Sequence, residues 1–283
     1  MDQFLIGNIL VELDYSGVPV ISEGNLRRFH HEGPWDGDRI RLDTSVEPLS
    51  HYLTPQYERE NHVYGIYSHQ NEPVLSYHWG KMFHGFAVWP ERFAVTFDPG
   101  MLRQTPLRED WFFSICAFHR QLLLRGGCVL HASYVDIGGE AILFTGPSNI
   151  GKSTQAALWT KYRNARVING DRVVLRKKGD RWHAFGYPSC GTSGICINRD
   201  MPVRAIVVLS QAPENRMEPI SAAAKIRALT AATELYPWDQ REFDMALDVA
   251  SRVSAQVPVL KLCCLPDEGA VNVLKNCLEG LTP

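Results

Sequence analysis

One short run, Gly146-Pro147-Ser148-Asn149-Ile150-Gly151-Lys152-Ser153-Thr154, combines residue types at a spacing that could do chemistry. It fills every defined position of the pattern G-x-x-x-x-G-K-[ST]. Gly146 and Gly151 let the backbone curl until successive N–H groups point inward and cradle a phosphate. Lys152 would reach the β- and γ-phosphates, and the Ser153 hydroxyl would be a ligand of Mg²⁺. The pattern has meaning only between a strand and a helix. Both are expected here: the apolar run at 141–145 precedes it, and residues 152–162, with Ala156, Ala157, Leu158 and Trp159, read as a helix. A glycine-rich turn without a ligand is the alternative. Motif and flanks together favour a loop that binds a nucleoside triphosphate.

The elements that must position this loop follow a strand and helix alternation. Residues 128–135 read as a strand, Gly138-Gly139 as a tight turn, and 141–145 as the strand that feeds the loop. After the helix come a short strand at 166–168, the turn dipeptide Asn169-Gly170, Asp171, and a strand at 172–177. Gly179-Asp180 makes a hairpin turn to 181–185. Residues 186–194 are small and polar, a loop that could close on an acceptor. Strands at 203–209 and 257–263 and helices at 222–229, 240–253 and 268–278 complete this half, with Asp239 as a helix cap. The fold class expected is α/β, or α+β overall given the hairpins.

The first hundred residues have another character. Short alternating runs at 4–13, 62–67, 74–79, 83–89 and 93–97, separated by Gly, Pro, Asn and Asp, read as strands. Residues 23–60 have no clear periodicity. A helical period over 109–124, through Trp111, Ile115, Phe118 and Leu122, joins the two parts. The division expected is a β-rich N-terminal domain at 1–105 and a nucleotide-binding domain at 106–283. Seven of the ten histidines (His30, His31, His51, His62, His69, His78 and His84) fall in the first part. They lack a helical His-x-x-x-His pair, which favours packing or exposed rings over a metal.

A net charge of −2 in 283 residues offers no bulk attraction for nucleic acid or an anionic membrane. The longest apolar runs fall far short of a bilayer span of ~20 residues. Met1-Asp2-Gln3 does not begin a secretory signal. The seven cysteines are scattered without a C-x-x-C pair, so reduced thiols and a cytoplasmic location are expected.

The flanks narrow the choice among phosphate-loop families. The run from Leu130-His131-Ala132 through Asp136, Gly138 and Phe144 to Gly146, with Ile168-Asn169-Gly170-Asp171-Arg172 beyond, resembles the core of the HPr kinase/phosphoenolpyruvate carboxykinase-like group. The likeness runs from 128 to about 209, and in outline to the C-terminus through Cys264-Leu265-Pro266-Asp267-Glu268. It implies a P-loop nucleotide domain, ATP and Mg²⁺, and allows a homo-oligomer, since related HPr kinases are hexamers. It places His131 beside the phosphates and Asp171 near the transferred group. The group commonly has two adjacent acids where this chain has Gly170-Asp171, which leaves Asp171 as either general base or metal ligand, alongside Ser153. Arg172, Cys190, Gly191 and Thr192 are candidates for contact with the acceptor, and Arg172 reads equally well as a solvated strand residue. The activity implied is a kinase acting on a hydroxyl of a small molecule or of a peptide or protein serine. A nucleotide sensor without turnover and a carboxykinase-like transfer are the alternatives.

Overall fold

The computed structural model describes residues 1–15, 17–49, 55–58, 64–69, 72–79, 83–103 and 107–281. They form a mixed α/β protein with two compact units, Met1–Gln121 and Leu122–Pro283.

The first unit contains strands β1 (Asp2–Ile6), β2 (Ile9–Leu13), β3 (Val20–Ile21), β4 (Arg39–Val46), β5 (Pro55–Glu58), β6 (Tyr64–His69), β7 (Glu72–Trp79), β8 (Phe83–Trp89), β9 (Ala94–Phe97) and β10 (Leu107–Arg108). All but β3 and β10 build one sheet in the order β1-β2-β4-β9-β8-β7-β6-β5. The single strand expected over 4–13 is instead a hairpin. Gly7 and Asn8 both take positive φ, 59° and 61°, which suits a two-residue turn whose twist matches its strands. Three elements emerge from the irregular stretch at 23–60, a turn of 3₁₀ helix at Leu26–Phe29 and strands β4 and β5.

Helix α1 (Pro99–Leu102) is followed by α2 (Glu109–Ile115) and α3 (Phe118–Leu124). The continuous helix expected over 109–124 breaks at Ala117, whose φ is +54°. The units divide after Gln121 rather than near 105 because α2 is an aromatic anchor of the first unit. Phe112 stacks on Phe97 at 5.7 Å and meets the Tyr15 ring edge-on at 5.1 Å. His30 packs against Phe4 and His31 against Trp35. His51 and His62 lie outside the described residues, as do the side chains of His69, His78 and His84, the first two residues of the strand expected at 62–67, and residues 104–106 at the expected domain boundary.

The second unit contains β11 (Cys128–Asp136), β12 (Ala141–Thr145), α4 (Lys152–Arg163), β13 (Arg166–Asn169), β14 (Arg172–Lys178), β15 (Arg181–Phe185), β16 (Asp200–Gln211), β17 (Arg216–Glu218), α5 (Ala222–Ala232), α6 (Gln240–Gln256), β18 (Val259–Cys264) and α7 (Glu268–Glu279). Strand β17, which pairs antiparallel with β18, has no counterpart in the sequence pattern. The sheet runs β12-β11-β14-β15-β16-β18-β17, and β12 also pairs parallel with β16. Strand β16 achieves this by dividing its length: Asp200–Pro202 pair with β15, and the residues from Val203 onward pair with β12. Five strands therefore close into a circuit.

Alternate side chains of the sheet serve two cores. Leu130, Ala132, Leu143 and Ile206 join Leu229 of α5 and Val249 of α6 on one side. Ile142, Phe144 and Val207 join Trp159 of α4 and Leu274 of α7 on the other. A strand covered on both faces reads as an unbroken apolar run, which is why all five residues of β12 are buried. Asp239 caps α6 by accepting from the N–H groups of Arg241 and Glu242. The cysteines are free thiols, and among the described residues no helix is long and apolar enough to cross a membrane.

Candidate nucleotide and acid site

The glycine loop leaves the end of β12 and shapes itself. Gly146, Asn149 and Gly151 have φ of 141°, 61° and 111°, conformations that glycine and, less often, asparagine adopt cheaply. Helix α4 starts at Lys152 with no side chain capping it, so its first-turn N–H groups remain open to an anion. Ser153 and Thr154 are exposed there. Lys152 does not extend into solvent. It is only 8% exposed, and its Nζ donates to the carbonyl oxygens of Gly146 and Pro147, each at 3.1 Å. Burial pulls the pKa of this ammonium below its ordinary value, and the charge of Asp171 works in the opposite direction.

Asp171 lies where the edge of β11 changes partner. β13 pairs with β11 through Tyr134, Val135 and Asp136, and β14 pairs with it through residues 128–131. Gly170 and Asp171 form the bend between them, in unbroken register opposite Ser133 and Ala132. Two hydrogen bonds hold the bend in place: Ala132 N–H donates to Asp171 O at 2.9 Å, and Ser133 Oγ donates to Gly170 O at 2.9 Å. His131, one residue before Ala132 and opposite Arg172, brings its Nε2 to 2.9 Å from Asp171 Oδ1. Its carbonyl accepts from Thr145 Oγ1 at 3.0 Å, which ties the histidine to the last residue before the glycine loop. The His131 side chain is 46% exposed and that of Asp171 23%, so an incoming group can reach the pair.

Arg172 closes the other side of the carboxylate. Its Nη1 is 3.4 Å from Asp171 Oδ2 and donates to Ser189 Oγ at 2.8 Å, while its Nε lies 2.9 Å from Glu234 Oε2. Burial opposes its charge, but the Glu234 and Asp171 carboxylates hold the guanidinium above its ordinary pKa.

Asn169, expected as half of a turn dipeptide, is the hub of this arrangement. It is fully buried and uses both ends of its amide. Oδ1 accepts from the N–H groups of Asp171 and Arg172 at 2.9 and 3.0 Å, and Nδ2 donates to the carbonyls of Tyr187 and Ser189 at 2.8 and 3.1 Å. It thereby fixes the acid bend and the start of the 186–198 segment together. That segment folds back on itself, with Cys196 Sγ donating to Tyr187 O and Ile197 N–H donating to Ile168 O. Its tip presses on the bend. A Cβ on Gly170 would lie 2.4 Å from Ser193 Cβ, and one on Gly191 would lie 2.9 Å from Asp171 Cγ. Gly191 therefore touches the acid, Thr192 is exposed beside it, and Cys190 is buried under the turn.

The fold thus brings together His131, Asp171, Arg172 and Gly191, and the Asp171 charge reaches Lys152. Asn169, Ser189, Ser193 and Glu234 belong to the same neighbourhood and were not marked by sequence pattern. A polar residue ending an apolar strand just before Gly-Asp was the available signal for Asn169. Among the described residues no group of three or more His, Cys, Asp and Glu side chains could hold a metal. The donor set fits a hard cation that brings its remaining ligands with it, since Ser153 and Asp171 offer hydroxyl and carboxylate oxygen.

The sequence model of the SynChlorMet cassette protein ScmC family matches residues 111–264. No curated protein matches the chain. Among solved structures, the Hpr(Ser) kinase/phosphatase from Coxiella burnetii is similar at a TM-score of 0.31 and 16% identity, over 54% of this chain and 93% of that one.

Proposed function

The chain belongs to the SynChlorMet cassette protein ScmC family, and from that premise we propose that it is an ATP-dependent kinase. It transfers the γ-phosphoryl group to a hydroxyl of a small molecule or of a peptide or protein serine. The observation that carries this reading is the convergence of Lys152, at the start of an uncapped helix, with the exposed His131–Asp171 pair.

The glycine-loop N–H groups and the α4 N-terminus bind the triphosphate, and Lys152 exchanges its bonds to the Gly146 and Pro147 carbonyls for phosphate oxygens. Ser153, together with phosphate oxygens and water, would hold a Mg²⁺ that neutralises phosphate charge. The acceptor oxygen forms a bond to the γ-phosphorus as the bond to the β,γ-bridging oxygen breaks, and ADP leaves with that electron pair. Asp171 takes the proton of the acceptor hydroxyl, and His131, hydrogen-bonded to the same carboxylate, orients it. Arg172 holds the second carboxylate oxygen. Exposed Thr192 and the Gly191 backbone form the acceptor side.

One observation favours a second reading. Gly170 has no room for an acid while Ser193 occupies its place, and a single carboxylate suits a nucleotide-dependent sensor without turnover. A screen for γ-phosphoryl transfer from ATP to metabolite and peptide pools, read by mass spectrometry, separates the two. The expected result is a phosphorylated acceptor with the wild-type chain and loss of at least about 10³ in rate with Lys152→Ala. Nucleotide binding without transfer to any acceptor would favour the sensor, and full activity in Lys152→Ala would overturn the phosphate-loop reading.

A further inference from the structure

The glycine loop has a second side. Strands β12, β16 and β18 run parallel, so their C-terminal ends lie at one edge of the sheet, where ligands of α/β proteins commonly bind. Beyond the ends of β16 and β18 is a cleft of about 390 Å³. Asn149, Ile150, Thr154 and Gln155 line it from the loop and the first turn of α4, and Gln211 and Leu265 from the strand ends. A ligand whose phosphates fill the loop would therefore extend its other end into this cleft.

Gln155 marks what that end must be. Its side chain is buried, at 2% exposure, and its Nε2 is committed to Leu265 O at 3.4 Å and Cys264 Sγ at 3.3 Å. Those bonds fix the orientation of the amide. Its Oε1 is buried with no partner among the described residues, a costly state for a strong acceptor unless a ligand completes it. The missing partner is thus a donor. Ile150 and Leu265 supply apolar surface for a flat ring, while the unfilled bond is single. Adenine matches, since it offers one donor group, its exocyclic amine, and guanine presents an oxygen at the corresponding position.

We infer that this cleft is the base subsite of the nucleotide and that Gln155 Oε1 accepts a hydrogen bond from the adenine amine. The inference rests on the phosphate-loop reading above and makes Gln155 a specificity-determining residue rather than a catalytic one.

Equilibrium binding to the full chain in the presence of Mg²⁺ tests it with ATP, GTP, purine riboside triphosphate and inorganic tripolyphosphate. Purine riboside triphosphate differs from ATP only in lacking the amine, so the comparison needs no mutation. ATP is expected to bind about tenfold or more tightly than purine riboside triphosphate and more tightly than GTP. In Gln155→Leu the preference for ATP over purine riboside triphosphate should vanish, while tripolyphosphate binding stays as in wild type. Equal binding of ATP and purine riboside triphosphate by the wild-type chain, or GTP bound as tightly as ATP, overturns the base subsite and leaves the phosphate loop standing. Failure to bind any of the four overturns the phosphate-loop reading itself, and the base subsite with it.

Discussion

The glycine loop and the Gly170–Asp171 bend both present polar groups at one site, yet they are held in opposite ways. The loop is self-contained. Positive φ at Gly146, Asn149 and Gly151 sets its path, and the ammonium of Lys152 binds the carbonyls of Gly146 and Pro147 within the same run. The bend depends on distant chain. Asn169 binds the backbone of Tyr187 and Ser189, Ser193 fills the space above Gly170, and Glu234 holds Arg172. A locally determined loop tolerates change elsewhere in the protein, whereas a bend assembled from four segments responds as a unit.

The sharpest test of this contrast is Asp171→Asn. The backbone carbonyl of Asp171, not its side chain, carries the pairing to Ala132, so the fold should survive while turnover falls by about 10²–10⁴. Steady-state transfer at several Mg²⁺ concentrations reads the outcome. Relief by excess metal would identify a ligand role, a loss insensitive to metal a base, and unchanged turnover would remove Asp171 from the mechanism.

Next in size is a matched pair of asparagines. Asn169→Ala strands the N–H groups of Asp171 and Arg172 in a buried setting and should cost about 3 kcal/mol in urea unfolding. Asn149→Ala only loses a favourable left-handed residue and should cost about 1 kcal/mol. Equal losses at the two positions would abolish the distinction between a local and an assembled element.

The last effect is a steric one. Gly170→Ala must displace Ser193, at about 1–3 kcal/mol. Ser193→Gly in the same chain should recover most of that loss. A double-mutant cycle with no coupling would mean that the 191–193 turn does not rest on the bend.

The same contrast explains what was legible in the sequence. The strand, glycine loop and helix between Ala141 and Arg163 follow from contiguous residues, so pattern and spacing suffice for them. The hairpin at Gly7-Asn8 was hidden because apolar residues continue on both sides of it, and only the positive φ of the two turn residues divides the run. Asn169 reads as a turn residue because asparagine before glycine usually is one. Its buried role requires Tyr187 and Ser189 to arrive from elsewhere, and no local window contains them. Ser193 and Glu234 were invisible for the same reason. His131 and Asp171 stood out through the resemblance of their flanks, not through any spacing between them.

The closed circuit of β12, β11, β14, β15 and β16 also tells an experimenter where to place a handle. Its hairpin turns at Gly138-Gly139 and Gly179-Asp180 carry glycines with positive φ around which an added Cβ would meet nothing within 4 Å. The first of them lies at the start of β12, at the opposite end of that strand from the glycine loop. A tag or a new pair of termini inserted between the turn residues, with the glycines kept because a side chain at their φ would be strained, would leave every strand pairing of the ring in place. The ring therefore provides attachment points from which nucleotide binding can be followed without disturbing the residues that perform it.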